Sequence, residues 1–307
     1  MNLNNFKSIT VFTVILLSSV LRLSSQHNDT LKIRHIEIPE IKHHEEVIHH
    51  AGYSFVYSEK HEQAKWVAYE LTNKETEKAV ERTNDFIPDP FVKTGSADNP
   101  DYAGSGYDRG HLAPAADMGW SEQSMKESFY FSNMSPQVPS FNRGIWKKLE
   151  EQVRTWAIEN EAIYVVTGPI LKDSLKSIGP NKVAVPEYYY KVLLDLKGPE
   201  KKAIGFVLPN SASSLPLRDF AISVDSVEKL TSINFFPKLA TTDEEKLEST
   251  VCIDCWSWKK TKIKGPNSEK KDVGSKESVQ CKGITSSGER CKKKTKSKSG
   301  YCSLHKK

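Results

Sequence analysis

Two short segments of the chain, residues 107–114 and 132–150, concentrate side chains that could hydrolyse a phosphodiester. Among their side chains are an imidazole, a guanidinium, two asparagine amides and a glutamate carboxylate that could act together, those of His111, Arg109, Asn133, Asn142 and Glu150. Hydrolysis needs a base that takes a proton from water near neutral pH, and His111 is suitable because an unperturbed imidazole has a pKa of ~6.5. Arg109 can bind a phosphate as a planar fork.

The negative charge that develops on phosphorus also calls for a cation. Mg²⁺ prefers oxygen ligands and keeps several waters, so one or two protein oxygens suffice. Asn142, at a predicted helix start, can supply an amide oxygen. Glu150 lies eight residues later, ~12 Å along an ideal helix and ~80° around it, which favours contact through metal-bound waters. Taken singly, Asn142 is a plain helix N-cap, Glu150 a solvated helix position and Asp108-Arg109 a surface ion pair.

The tetrapeptide Asp108-Arg109-Gly110-His111, followed by Leu-Ala-Pro, resembles the signature of the DNA/RNA non-specific endonuclease family, which includes secreted bacterial nucleases and mitochondrial endonuclease G. A second motif of that family, Asn-x-x-Pro-Gln with an Asn and a Glu at fixed distances, is matched at Asn133, Pro136, Gln137, Asn142 and Glu150. Residues 227–237 also resemble the end of the family's domain. The likeness covers about residues 51–240.

This resemblance implies a ββα-metal fold, in which a β-hairpin and a helix surround one Mg²⁺, with Mn²⁺ as an alternative ion. It implies that His111 is the general base and that Asn142 is the direct protein ligand of the metal. It further implies that Glu150 holds metal-bound water, that Asn133 supports the site and that Arg109 contacts the phosphate. An upstream arginine of the family matches Arg82 more loosely.

The C-terminal residues 281–307 carry a second candidate metal site. Three cysteines and a histidine form a complete set of tetrahedral zinc ligands, Cys281, Cys291, Cys302 and His305. Disulfides in an oxidising compartment, or a disordered basic tail, are the alternatives. Lysines and an arginine surround these cysteines, so we expect the tail to contact phosphates. Cys252 and Cys255 could form a short disulfide, a half-site or two unpaired thiols.

Charge is distributed unevenly along the chain. Residues 259–307 hold 16 Lys and Arg against 4 Asp and Glu, so the remainder is net acidic although the whole chain is +5. This pattern argues against a protein that coats nucleic acid along its whole length. Five cysteines are too few for a small disulfide scaffold. The single long apolar stretch, residues 9–21, rules out a transmembrane bundle.

The elements that must position these residues follow from the apolar patterns. Alternating or continuous apolar runs predict strands at residues 53–57, 65–71, 162–167, 188–194 and 203–208. Apolar residues at helical spacing predict a helix over residues 145–156, and a last helix is expected near Asp225, with Glu228 completing a capping box. Residues 84–107 read as a long functional loop. Because strands and helices do not alternate regularly, we expect an α+β fold with a central antiparallel sheet.

The N-terminal residues 1–25 read as a signal peptide or an uncleaved anchor, which predicts an exported protein, secreted or periplasmic. Residues 26–50 read as a histidine-rich linker, residues 51–240 as the endonuclease domain and residues 241–280 as a charged linker. Two other functions compete with an exported, Mg²⁺-dependent endonuclease of DNA and RNA. One is a non-catalytic nucleic-acid-binding protein on a nuclease-like fold, and the other is a metallophosphodiesterase for small substrates. The oligomeric state is left open.

Overall fold

The computed structural model describes residues 35–198, 200–258, 279–285, 288–295, 299–302 and 305. The predicted signal segment and half of the predicted charged linker, residues 259–278, lie outside these residues. The chain divides after His35, and the second unit, residues 36–307, contains every element given below. Within the described ranges, no helix is both long and apolar enough to cross a membrane.

A mixed α/β arrangement around an antiparallel sheet confirms the predicted α+β class. In the described residues the main sheet has seven strands in the order β1-β2-β3-β6-β9-β10-β11, and each neighbouring pair is antiparallel. These strands are β1 Val47–His49, β2 Ser54–Ser58, β3 Gln63–Thr72, β6 Ala162–Pro169, β9 Tyr188–Asp195, β10 Lys202–Pro209 and β11 Ala221–Ile222. Three two-stranded pairs are β4 Asp108–His111 with β5 Met134–Gln137, β7 Ser177–Ile178 with β8 Val183–Ala184, and β12 Val279–Gln280 with β13 Lys294–Thr295.

Both faces of the sheet are apolar. Because successive side chains of a strand point to opposite faces, each strand supplies apolar side chains to both. In β3, Val67, Tyr69 and Leu71 lie in one hydrophobic cluster, whereas Trp66 and Ala68 lie in the other. The strands β6 and β9 alternate in the same way between the two clusters. The near-continuous apolar runs of these strands therefore reflect burial on both sides.

Helices cover the two faces. The α-helices are α1 Asn99–Tyr102, α2 Glu122–Ser128, α3 Pro139–Phe141, α4 Lys147–Glu159, α5 Val224–Thr231 and α6 Thr241–Glu248, and a π-helical turn, Asn142–Trp146, joins α3 to α4. Short 3₁₀ turns lie at Lys74–Thr76, Phe131–Asn133, Leu217–Phe220 and Ile253–Cys255. On one face, α4 buries Leu149, Val153 and Trp156 as its spacing predicted. On the other face, α5 buries Val224 and Val227.

One predicted helix start and one predicted capping box are wrong. Asn142 is not an N-cap, because the helical run already begins at Pro139, whose fixed φ suits a first helical position. Ser223 caps α5 by accepting from the Ser226 amide, while Glu228 accepts from the backbone amide of Phe235 instead of completing a capping box. The helix near Asp225 is also not the last one, since α6 follows it.

Segments on either side of residues 51–240 also pack onto the sheet. Ile36 and Ile38 are buried, and β1 pairs with β2. Beyond α6, Trp256 is buried against Trp156 at a ring-centroid distance of 4.7 Å. The sheet and its covering layers therefore extend on both sides past the boundaries drawn from sequence. Cys252 and Cys255, which lie between α6 and Trp256 in the chain, form a disulfide.

Candidate active site

A two-stranded hairpin inserted between β3 and β6 carries the histidine. The strands β4 and β5 pair so that Asp108 lies opposite Gln137 and His111 lies opposite Met134. Gly110 faces the side chain of Gln137 so closely that a Cβ atom at this position would lie 2.2 Å from it. A glycine is therefore required in the middle of the Asp-Arg-Gly-His motif for the two strands to pair.

Asn133 locks the end of this hairpin. Its side chain is buried and bonds the chain on both sides: the amide of Ala113 donates to Oδ1 at 2.8 Å, and Nδ2 donates to the carbonyls of Ala113 at 2.9 Å and Ser128 at 2.8 Å. All three hydrogen bonds are to backbone groups, so the Asn133 side chain stabilises the loop that follows His111. The geometry fits the supporting role that the motif suggested.

The imidazole of His111 lies between two phenyl rings. Phe129 meets it edge to face at a centroid distance of 4.9 Å, and Phe86 lies at 5.9 Å. The ring is buried, and its Nε2 has no hydrogen-bond partner among the described residues. Burial, and then the charges of Arg82 and Arg109, lower the pKa of His111 to about 3. The imidazole is therefore neutral at physiological pH and has one nitrogen left for a ligand outside the protein.

Two arginines stack on the same phenyl rings. The guanidinium of Arg82 is 4.8 Å from the centroid of Phe129, and that of Arg109 is 4.0 Å from the centroid of Phe86. Each is also tethered to an amide oxygen, Arg82 to that of Asn84 at 2.7 Å and Arg109 to that of Asn99 at 2.8 Å. Cation–π stacking and one hydrogen bond thus orient each guanidinium and leave further N–H donors for an anion.

Asn142 lies in the π-helical turn that follows the hairpin. Its Nδ2 donates to Oδ2 of Asp108 at 2.9 Å. The same carboxylate receives a fork from Arg143, with bonds of 2.8 and 2.6 Å. Asp108 thus pairs with Arg143 and not with Arg109, and it fixes the amide so that the nitrogen is used and Oδ1 is left for a metal.

Glu150 follows in α4, on the same helical run as Asn142. The π-helical turn and the non-helical backbone of Gly144 separate the two residues, so the ideal-helix separation does not apply. Burial raises the pKa of Glu150, and the charges of Arg154, Lys191 and Arg82 act in the opposite direction. Arg154 is held by Asp117 at 2.6 Å, and Asp117 also accepts from Tyr69 at 2.8 Å.

Lys191 on β9 is the most buried cation near this carboxylate. It is 1% exposed, and its ammonium lies 4.9 Å from the centroid of Trp146. Burial lowers the pKa of Lys191, whereas Glu150 and Asp117 raise it. Among the described residues its Nζ makes no hydrogen bond. The cation therefore contributes charge to the region of Glu150 without a direct polar contact.

The structure thus groups Arg82, Arg109 and His111 around two phenyl rings and connects Asn142 to the same hairpin through Asp108. It also shows residues that the sequence reasoning missed, namely Asp108, Phe86, Phe129 and Lys191. Asp108 lies inside the recognised motif, and the fixed spacing to Asn142 was a usable signal for their contact. The two phenylalanines and Lys191 gave none, because an isolated aromatic or lysine is ordinary in any chain.

Comparison with known proteins agrees with this geometry. The sequence model of the DNA/RNA non-specific endonuclease family matches residues 34–242. The chain is 34% identical over 204 residues to mitochondrial endonuclease G of Bos taurus, which is 62% of this chain and 68% of that protein. It is 36% identical over 219 residues to Nuclease C1 of Cunninghamella echinulata var. echinulata, covering 66% of this chain and 87% of that protein.

Two further relatives have the same character. Nuclease EXOG, mitochondrial, of Danio rerio is 37% identical over 215 residues, and the chain spans 62% of its length. Among solved structures, the crystal structure of the EndoG/EndoGI complex matches with a TM-score of 0.62 and 31% identity, over 70% of this chain and 92% of that one.

Proposed function

Because this chain belongs to the DNA/RNA non-specific endonuclease family, whose members hydrolyse nucleic acids, we propose that it cleaves DNA and RNA internally with His111 as general base and one Mg²⁺ ion. The observation that carries this proposal is the buried, neutral imidazole of His111. Its unpartnered Nε2 belongs to a ring that packs against Phe86 and Phe129, and each of these phenyl rings stacks with a tethered guanidinium group. Such a nitrogen is suited to accept a proton beside an anionic substrate.

The two arginines supply the phosphate contacts. Burial is the main cause of the low pKa of His111, and a phosphate bound by Arg82 and Arg109 neutralises the two positive charges that lower it further. The basicity of the imidazole then rises toward the working pH, where a general base is most effective. Substrate binding and base activation are coupled in this way by the same pair of side chains.

The residues present fit a magnesium ion. The contact with Asp108 uses Nδ2 of Asn142, so Oδ1 of the same side chain is available to a metal. The carboxylate of Glu150 supplies further oxygen atoms. Together these residues give the all-oxygen donor set that Mg²⁺ prefers. Asn142 would hold the ion directly and Glu150 would hold its waters. When bound, the ion would offset the negative charge that develops on the phosphate. Arg154 and Lys191 support Glu150 by favouring its ionised form.

In the proposed hydrolysis, one proton leaves the attacking water and one P–O bond replaces another. A water near His111 gives one proton to the imidazole, its oxygen forms a bond to phosphorus, and the opposite P–O bond breaks. Solvent protonates the leaving oxygen, and the imidazolium returns its proton to solvent. Arg82 and Arg109 stabilise the extra negative charge that the phosphate carries while one bond forms and the other breaks, as pre-oriented donors do in low-dielectric sites.

The cofactor and the endonucleolytic mode are tested together by plasmid nicking. We expect the full-length protein to convert supercoiled DNA to open circles and to degrade a circular RNA, with both activities absent in EDTA and restored by Mg²⁺ or Mn²⁺. Cleavage that persists in EDTA would contradict the metal requirement. Binding of plasmid without nicking, under all metal conditions, would favour a non-catalytic nucleic-acid-binding protein.

Three further proposals concern the localisation of the protein, the role of its tail and a second metal. We propose export through residues 1–25, on sequence grounds alone, although several relatives are mitochondrial by name. Fusion of residues 1–35 to a reporter, followed by fractionation, separates export from import into an organelle. We also propose that the basic residues of the tail contact substrate phosphates. A separate proposal, that the tail binds Zn²⁺, depends on the distances between its cysteine and histidine ligand atoms.

A further inference from the structure

Three thiols and one imidazole converge in the Cys/His tail, residues 281–307. The ligand atoms of Cys281, Cys291, Cys302 and His305 all lie within 4.8 Å of one another. All three cysteines are buried, and together they make up the entire hydrophobic cluster found in the described part of the tail.

Three separations between these ligand atoms match a tetrahedral zinc centre. With Zn–S of ~2.3 Å and Zn–N of ~2.05 Å, tetrahedral angles require S···S of ~3.8 Å and S···N of ~3.5 Å. Sγ of Cys291 and Sγ of Cys302 are 3.9 Å apart. Nδ1 of His305 lies 3.6 Å from Sγ of Cys281 and 3.4 Å from Sγ of Cys302. The histidine therefore faces the centre with Nδ1.

A disulfide does not account for the same arrangement. A disulfide needs an S–S distance of ~2.05 Å, far shorter than the separation between Cys291 and Cys302. The remaining two cysteines of the chain, Cys252 and Cys255, are already bonded to each other. Three thiols also cannot all pair within one chain, so disulfides would leave one of them buried and unused.

The backbone around the cluster is built to hold it. The pairing of β12 with β13 and the bond from the Cys291 amide to the Gly283 carbonyl at 2.8 Å bring the first two thiols together. The amides of Gly283 and Cys302 donate to Sγ of Cys281 at 3.3 and 3.2 Å, as backbone amides commonly do toward a metal-bound thiolate. A Cβ on Gly283 would lie 2.2 Å from the ring of His305, so only glycine leaves room for the imidazole.

Apart from these cysteines, the described residues of the tail bury little apolar surface. Its large apolar side chains Ile284 and Tyr301 are 62% and 39% exposed. A segment of this size cannot form a sufficient apolar core, and natural examples rely on a metal or disulfides. From the four ligands, their spacing and the lack of another core in the described part of the tail, we infer that Cys281, Cys291, Cys302 and His305 form a closed structural Zn²⁺ centre with three thiolates and Nδ1 of His305. Four protein ligands leave no position for a substrate, so the zinc folds the tail and takes no part in cleavage.

The test is the zinc content of full-length protein that is reduced, supplied with Zn²⁺ and dialysed. We expect about one Zn²⁺ per chain in the wild type and almost none in Cys291→Ser, since a four-ligand site is the norm for structural zinc. The matched control is the double variant Cys252→Ser and Cys255→Ser, which changes cysteines outside the cluster and should keep its zinc. A zinc-free wild type, or zinc retained by Cys291→Ser, would overturn the assignment.

A second variant separates ligation from a general effect on folding. His305→Cys replaces one zinc ligand by another, so it should retain zinc, whereas His305→Ala should lose it. Loaded with Co²⁺ instead, the wild type should show the intense visible bands of a tetrahedral thiolate site, and His305→Cys should strengthen its sulfur-to-cobalt charge-transfer band. Octahedral, weakly absorbing Co²⁺ in the wild type would contradict the site. None of these readouts depends on nuclease activity.

Discussion

The nuclease domain and the Cys/His tail both gather metal-binding side chains, but they do so by opposite means. In the nuclease domain, a sheet covered on both faces and the buried rings of Trp146 and Trp156 fix the helical run that carries Asn142 and Glu150. In the tail, the thiols themselves are the core. We therefore expect the proposed magnesium site to be assembled before a metal binds, and the proposed zinc site to be assembled by its metal.

The largest effect that distinguishes the two kinds of site is expected at the direct magnesium ligand. Asn142→Ala should abolish cleavage at ordinary Mg²⁺ concentrations without unfolding the domain. Glu150→Gln should weaken Mg²⁺ affinity by about 10–100-fold, the usual cost of losing an outer-shell partner. Cleavage rates across a Mg²⁺ titration measure both. Full rescue of Asn142→Ala by excess Mg²⁺, without rescue of Glu150→Gln, would reverse the two roles.

Chelation should act on the two regions differently. A zinc-selective chelator should remove the protection of tail amides from hydrogen exchange, because the metal is what holds the tail. EDTA that removes Mg²⁺ should leave the exchange of β4 and β5 unchanged, because packing holds the hairpin. Mass-spectrometric exchange on full-length protein reports both regions in one experiment. Exposure of the hairpin after Mg²⁺ removal would show that this site, too, depends on its metal for folding.

The contribution of the tail to substrate binding should be moderate and dependent on salt. Residues 281–307 contain nine Lys and Arg residues and one Glu. Deleting them should lower the salt slope of duplex DNA binding by ~0.9 for each phosphate that the tail neutralises, while the rate at saturating substrate stays nearly constant. Fluorescence anisotropy across a salt series gives the slope. If deletion leaves it unchanged, the tail does not bind nucleic acid.

The smallest effect concerns the stability of the nuclease domain alone. Glu248 on α6 is 4% exposed, and burial together with Glu228, Glu244 and Asp225 raises its pKa to about 9. The folded state therefore binds a proton that the unfolded state releases above its pKa of 4.5, so stability falls as pH rises through this window.

Glu248→Gln should consequently raise the melting temperature more at about pH 8 than at about pH 5, because the amide removes the cost of ionising a buried group. The control is Glu245→Gln, which changes an exposed carboxylate of the same helix and should shift neither value. Scanning calorimetry at the two pH values provides the comparison. Equal shifts for both variants would show that Glu248 is not buried as a neutral acid.

Sequence patterns predicted the parts of this molecule that depend on local regularity. The runs that became β3, β6, β9 and β10 were recognisable from their apolar residues, and the face of α4 from its helical spacing. The motifs around His111 and Asn142 were recognisable by resemblance. The four-ligand set of the tail needed only the spacing of its cysteines and histidine.

The rest depended on tertiary contacts that no local pattern encodes. Pro139 starts the helical run before Asn142, and the π-helical turn after it changes the direction of the following side chains. The pairs formed by Arg82 with Phe129 and by Arg109 with Phe86 join residues far apart in sequence or hidden in an irregular loop. Likewise, the histidine-rich stretch gave no sign that His50 would be buried and bonded to Asp89 at 2.8 Å.

The role of His111 as the base that removes the proton from water is best tested by single-turnover cleavage with His111→Ala. With folding verified by circular dichroism, the rate constant should fall by at least ~10²–10⁴-fold, the usual contribution of a general base. The matched control is His61→Ala. His61 lies in the turn between β2 and β3 and bonds Ser58 at 2.8 Å, and the variant should cleave at the wild-type rate. Near-wild-type cleavage by folded His111→Ala would contradict this role.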